Sequence, residues 1–257
     1  MNTKIDYEIL ENYVDKVIMG PFHEKRLERL NQLKLKDILK RKNPYLFKAK
    51  NIETSGDFIK YLLDAFLSSQ EETIFGNLME NLAIYICKVV YDGKKAEESK
   101  YRSLDLIFEK ENKTYIVGIK SGVYWGNSDQ INRMKNNFKT AKTLLREEGV
   151  VNEIIAVNGC MYGRDSKPFK DNEDRDKSYF KYCGQLFWEF ISGDSDLYKR
   201  IIIPIDKEAK KRDESFKLIY TGKTNEMIKQ FSEDFLNNEG LINWEKIIDY
   251  VSKNNQN

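Results

Sequence analysis

Cysteine is scarce. The 257-residue chain has 3, at Cys87, Cys160 and Cys183, an odd set without paired metal-ligand spacing. That spacing excludes a disulfide framework and a cysteine zinc site, and reads as free thiols in a reducing compartment. Histidine is scarcer still: His23 stands alone, which argues against a histidine-based nuclease or a Ser-His-Asp hydrolase, since both need a positioned imidazole. Net charge is nearly missing. Lys+Arg 43 against Asp+Glu 41 leaves +2, so any attraction to nucleic acid must come from where charges sit and not from their sum. There is no Walker-type glycine loop and no internal repeat. No stretch approaches the roughly 20 apolar residues of a membrane span. Asp6, Glu8 and Glu11 interrupt the start of the chain, so no signal peptide is read there. The expectation is a cytoplasmic protein with no membrane partner.

What is present is the material of a globular protein: 40% hydrophobic, 12% aromatic and 33% charged residues, enough to bury a real core. The length fits a single domain over residues 1–257, read as three consecutive stretches: helical N-terminal residues 1–70, a catalytic core of residues 71–195 and helical C-terminal residues 196–257. Tyr7 to Val14 spaces apolar side chains three and four apart, and the rhythm returns after Phe22. Ser55-Gly56-Asp57 reads as a helix start. A longer helix is expected from about Glu72 to Tyr91, with Leu78, Met79, Leu82, Tyr85, Ile86 and Val89 on one side and Asn77, Glu80, Asn81 and Lys88 on the other.

The period then changes. Ser103 to Phe108 and Thr114 to Lys120 are short runs rich in β-branched and aromatic residues, separated by the charged turn Glu109 to Lys113, which reads as a hairpin. Asp129 to about Glu147 returns to helical spacing, and Glu153 to Val157 is the next strand. Hairpin, helix, strand in that order predicts a mixed sheet, because a crossover helix carries the chain to a parallel neighbour. Gly159 to Lys177 reads as a long polar loop. Helices are expected over Tyr179 to Ile191, after Asp194, near Glu226 to Leu236 and around Trp244 to Val251, with a frayed tail Ser252 to Asn257.

With Glu111-Asn112 at the hairpin tip, Lys110 faces Lys113 and Asp105 falls opposite Gly118. Alternation along the strands then puts Asp105 and Lys120 on one face, one diagonal step apart, with Leu104, Leu106, Val117 and Ile119 on the other. Phosphodiester hydrolysis uses such a set: a carboxylate to fix a divalent ion, and a cation to orient water or offset developing charge. By itself the pair is as consistent with a surface ion pair worth roughly 0–1 kcal/mol.

Asp105, followed after a hairpin by Ile119-Lys120-Ser121-Gly122, resembles the PD-(D/E)XK nuclease superfamily. The stretch Gly118 to Gly122 continuing to Trp125-Gly126-Asn127-Ser128, and Gly184 to Asp194 downstream, resemble type II restriction endonucleases in particular. The resemblance covers about Gly76 to Asp194. It implies an α/β fold with a restriction-endonuclease-like mixed central sheet flanked by helices, cleavage of double-stranded DNA, Mg²⁺ as cofactor with Mn²⁺ able to substitute, and a homodimer. Carried onto this chain, Asp105 and Lys120 are catalytic, and Asp105 and the Ile119 carbonyl are metal ligands.

Two departures stand out. Ser103-Leu104 replaces the proline that often precedes the aspartate, and Gly118 occupies the position of the second carboxylate. Glu80, on the upstream helix, is the candidate replacement as catalytic and metal-binding residue, with a glycine opposite Asp105 leaving space for it. The alternative is that Glu80 belongs to a solvated stripe; Glu97 and Glu98 are weaker candidates. Ser121, Asn127 and Ser128, in a polar loop opening a helix, are candidate DNA contacts, and Gln130 is a supporting position. Lys135, Lys139 and Lys142 could track a DNA backbone. Arg164 and Lys167, in a loop of interleaved Arg, Lys and Asp, are candidate base or phosphate contacts. Two rival functions remain: a structure-directed nuclease of repair or recombination, and a non-catalytic DNA-binding protein with a degenerate nuclease fold. The recognition sequence is not readable from one chain.

Overall fold

The computed structural model describes residues 5–254. In chain order its elements are α1 (Tyr7–Tyr13), a π-helical turn (Val14–Met19), α2 (Gly20–Gln32), α3 (Leu35–Leu39), α4 (Pro44–Ala49), α5 (Ser55–Tyr91), β1 (Lys94–Lys95), β2 (Leu106–Lys110) and β3 (Lys113–Lys120). Then come α6 (Ser128–Glu147), β4 (Glu153–Cys160), a 3₁₀ turn (Arg175–Lys177), β5 (Phe180–Cys183), α7 (Gln185–Ser192), α8 (Leu197–Arg200), α9 (Ile202–Phe235) and α10 (Trp244–Ser252). The chain divides into two compact units, one of residues 1–19 and 75–208 and the other of residues 20–74 and 209–257. Segments from the N-terminal and C-terminal thirds share one helical core in the second unit. The expected frayed tail reaches residues 255–257, which lie outside the described residues.

The first unit holds a 5-stranded sheet in the order β1-β2-β3-β4-β5. β1, β2 and β3 are antiparallel neighbours, while β4 and β5 continue parallel to β3. This is the mixed sheet between helices that the element order predicts, and α6 is the crossover between β3 and β4. The hairpin register matches the expectation: Lys110 pairs with Lys113, and Glu111 and Asn112 take positive φ of 52° and 58°. Two consecutive left-handed residues are what a two-residue turn needs to follow the strand twist.

One face of the sheet carries Ile116 and Ala156 against Met134, Phe138, Ala141 and Leu145 of α6. Phe138 is 0% exposed, and each such large apolar side chain contributes roughly 1.5–3 kcal/mol on burial. The other face carries Phe108, stacked on Tyr91 of α5 at 5.5 Å and tilted on Phe190 of α7 at 5.2 Å. Leu106 lies on that side too, since a Cβ at Gly93 would sit 3.1 Å from its Cδ1 and 2.7 Å from Cys87 Sγ. Leu104 is a correction. It packs with Phe138 and Ile116 on the α6 side, because the chain turns at Ser103 (φ 61°) before the strand begins.

Three element boundaries also differ from expectation. α5 is one helix of 37 residues, because Ser68-Ser69-Gln70-Glu71 contains no proline or glycine to stop it. By length and composition it is the one helix among the described residues apolar enough to cross a membrane, contrary to the sequence reading. Its Phe58, Ile59, Leu62 and Leu63, and its Leu82, Ile86 and Cys87, are nonetheless buried in protein. The expected helix Tyr179 to Ile191 is a strand and a helix, split by Gly184 at φ 55°, where a Cβ would lie 2.7 Å from the Gly163 carbonyl. α9 runs 34 residues, well beyond the expected start near Glu226.

The loop after β4 is ordered by α6. Lys139 pairs with Asp174 at 2.8 Å, Arg146 grips Asp176 with two bonds of 2.8 Å, and Lys142, buried, donates to the Ser178 carbonyl at 3.2 Å. The described part of the second unit is built from helices, with one antiparallel bridge between Leu236 and Ile242. Its core gathers Leu30, Leu35, Ile38, Phe58, Leu62, Phe231 and Ile247, with Phe58 stacked on Phe231 at 4.7 Å.

Candidate active site

The end of the hairpin brings together the pair singled out in the sequence. Asp105 stands one residue before β2 and straddles Gly118. Its N–H donates to the Val117 carbonyl at 2.9 Å, and its Oδ2 accepts the Ile119 N–H at 2.5 Å. The carboxylate thus completes the ladder where the neighbouring backbone turns away, which fixes its direction. The Lys120 ammonium lies 3.8 Å from Asp105 Oδ2 and donates instead to the Ile119 carbonyl at 2.7 Å. The amine is close enough to be felt and not locked onto the acid. Asp105 and Lys120 keep 19% and 28% of their side chains exposed, so the centre is sheltered yet open to solvent. Burial raises the Asp105 carboxyl above its ordinary range, while Lys120 and the Ile119 N–H pull it back down.

Glu80 faces the same centre from α5. Its carboxyl is raised by burial first and by the charge of Asp105 second, with Lys95 and Lys120 opposing. The side chain is half-buried, neither a fully solvated position nor a closed one. Gly76, one helical turn earlier on the same side, explains the approach: a Cβ there would lie 2.9 Å from Ser121 Oγ, so the missing side chain lets α5 come up to the end of β3. Glu98 and Lys95 also act on both carboxyls. Among the described residues no group of three or more His, Cys, Asp or Glu side chains is gathered closely enough to hold a metal.

Gly118 does not leave open space for Glu80. A Cβ there would lie 2.9 Å from the Ser103 carbonyl oxygen and 3.7 Å from the Phe138 ring. The Ser103 backbone occupies that place, held by the Asn137 amide donating to Ser103 Oγ at 2.7 Å. The glycine is therefore needed for a close backbone approach.

The remaining candidates divide. Ser121 adjoins Lys120, and its carbonyl accepts from the Tyr162 N–H at 3.1 Å. Ser128 opens α6, and Asn127 caps it in a reciprocal box with Gln130, both bonds 3.0 Å. The side-chain oxygens of Asn127 and Gln130 are thus engaged in the fold. Arg164 and Lys167 are exposed on the loop after β4, whereas Asp165 is paired with Lys181 at 2.8 Å. The α6 lysines are corrected: Lys139 and Lys142 serve the loop as described, and Lys135 lies 3.7 Å over Phe169, so this face is not a free basic track.

Sequence reasoning missed the aromatic surround. The Lys120 ammonium is 5.6 Å from the Trp125 ring centroid, and Tyr124 and Tyr162 are exposed nearby in sequence and backbone pairing. The available signal was Tyr124-Trp125 directly after the Lys120-Ser121-Gly122 run. The family model described as type II restriction endonuclease EcoO109I matches residues 8–213. No curated protein matches the chain.

Proposed function

The chain belongs to the type II restriction endonuclease EcoO109I family, and from that premise we propose that it cuts specific sequences in double-stranded DNA by Mg²⁺-dependent hydrolysis, as a homodimer. The observation that carries this reading is the Asp105 carboxylate fixed by the Ile119 N–H with the Lys120 ammonium 3.8 Å away.

The donors at the site suit a hard cation. Asp105, Glu80 and the Ile119 carbonyl offer only oxygen, the ligand type Mg²⁺ selects, and Mg²⁺ keeps several waters where few protein ligands are supplied. These three groups would hold it, and when bound it polarises the phosphate and acidifies a water. Asp105 supplies negative charge in a direction fixed by its backbone bond. Lys120, hydrogen-bonded to Ile119 and free of a tight ion pair, orients the attacking water and offsets charge on the phosphate. Glu80 adds the carboxylate that Gly118 lacks. Ser121, Ser128, Arg164 and Lys167 contact the duplex, and Asn127 acts through the position of the α6 N-terminus. Each chain holds one such centre, so two copies related by a two-fold axis would cut both strands at once.

Plasmid digestion with Mg²⁺, with and without chelator, is the test. Lys120→Ala lowers the cleavage rate by roughly 10²–10³-fold, and Glu80→Ala weakens both cleavage and metal affinity. Undiminished activity of Glu80→Ala removes that residue from the site. Gly118 and the lack, among the described residues, of a three-carboxylate cluster favour one rival, a DNA-binding protein without catalysis. Binding without cleavage in Mg²⁺ and in Mn²⁺ establishes that rival and ends the nuclease reading.

A further inference from the structure

The loop that follows Lys120 is built in a way that metal binding does not require. Ser121 to Gly126 and Met161 to Gly163 are interlocked. A Cβ at Gly122 would lie 2.5 Å from the Tyr162 ring, and a Cβ at Gly163 would lie 2.4 Å from Val123 Cγ1. Each loop thus offers a glycine that receives a side chain of the other. Gly163 also takes φ 109°, a conformation that L side chains rarely adopt.

The backbones are joined as well. The Lys120 carbonyl accepts from Met161 N–H at 2.9 Å, and the Ser121 carbonyl from Tyr162 N–H at 3.1 Å. Trp188 anchors the second loop by donating from Nε1 to the Met161 carbonyl at 2.8 Å. The Asn127–Gln130 capping box fixes the exit of the first loop into α6. On this braced platform Tyr124 is 99% exposed and Tyr162 66% exposed, while Trp125 stays by the Lys120 ammonium.

A single exposed aromatic is ordinary. A fully exposed tyrosine four residues after the proposed catalytic lysine is presented from a doubly braced backbone, so the cost of ordering the loop has already been met in the fold and only the ring's own rotamers are left to fix on binding. One exposed cation, Arg164, directly follows Gly163 on the second loop. Aromatic faces beside cations suit bases and phosphates, since every base has a π-face to stack on.

We propose that Tyr124, carried on the interlocked loops with Tyr162, packs into the base stack of duplex DNA beside the cleaved phosphate and opens that base step. The proposal rests on the nuclease reading. The wedge makes cleavage depend on how easily the flanking step unstacks, a specificity read without hydrogen bonds to base edges.

The experiment first maps the cut by sequencing the ends of digested plasmid. Duplexes containing that site, with 2-aminopurine at each flanking position in turn, are then titrated with the protein in Ca²⁺. Wild type raises the fluorescence at one flanking position. Tyr124→Ala loses the rise and binds about ten-fold more weakly or worse, as loss of one stacking contact implies, with the change falling on KM more than on kcat. Tyr124→Phe, which keeps the ring, restores both signals. Wild-type binding by Tyr124→Ala, or no rise with wild type at any position, overturns the wedge while leaving plasmid cleavage intact. A wild type that neither cuts nor binds duplex overturns the nuclease reading and the wedge with it.

Discussion

Asp105 is held in a state that costs the fold. Its carboxylate has one backbone donor, Ile119 N–H at 2.5 Å, and an ammonium no nearer than 3.8 Å, and burial dominates over both in raising it above the usual carboxylate value of 3.8. An acid raised in the folded state binds more protons folded than unfolded between the two values, so stability falls as pH rises through that window. Above that window the native state carries the desolvation penalty of the charged carboxylate. Asp105→Asn keeps an oxygen to accept from Ile119 and removes the charge. The variant is therefore expected to melt higher than wild type without metal, by about 2–4 °C per kcal/mol relieved in a protein of this size, while losing cleavage. Mg²⁺ raises the wild-type melting temperature and leaves that of the variant unchanged, because binding to the native state alone stabilises it. Thermal melts with and without Mg²⁺ check both signs. A variant less stable than wild type in chelator contradicts the stated balance of burial and hydrogen bonding.

At the scale of elements, what was legible in the sequence is what local periodicity controls. The hairpin and its tip followed from alternation and a charged turn, and α6 followed from three-and-four spacing, so Asp105 and Lys120 could be brought together before any coordinates. The joins between elements were less legible. β5 and α7 read as one helix because Phe180 to Cys183 is a strand only when it pairs with β4, a contact invisible from its own sequence. Gly118 read as open space because the approach of Ser103 depends on a turn three-dimensional in origin. His23 in α2 shows what an element adds to a residue. It is 7% exposed, its Nε2 has no hydrogen-bond partner, and its ring meets Phe22 edge-on at 5.3 Å. Burial lowers its pKa below 6.5, Arg26 and Arg212 lower it further, and Asp213 and Glu71 oppose. A base depressed in the folded state binds fewer protons than the unfolded chain, so stability is present above pH 6.5 and is lost as pH falls through the lower folded value. His23→Gln is expected to flatten the decline of stability just below pH 6.5, seen in chemical denaturation from pH 7.5 to 5. An unchanged slope removes His23 as its source.

The whole molecule joins residues 20–74 to residues 209–257 in one helical core, a pairing between distant segments that no local pattern announces. The unit with the sheet carries the whole candidate centre, from Glu80 through Lys120, and that has a consequence for how DNA is cut. On the proposed reading one Asp105–Lys120 centre would attack one phosphodiester, and the two strands of a duplex run in opposite directions, so two centres related by a two-fold axis would cut both at once. Such an assembly has an isologous interface, and mixing subunits exposes it. Co-expression of wild type with an excess of Lys120→Ala places most wild-type chains in mixed dimers, each with one active centre, beside inactive variant dimers. Supercoiled plasmid carrying one site then goes to open circles, with linear product suppressed, whereas wild type gives linear product directly. Sedimentation of the wild type is expected to read twice the chain mass of 30.3 kDa. If the linear product instead stays in simple proportion to the wild-type chains present, each chain cuts alone and the dimer is excluded.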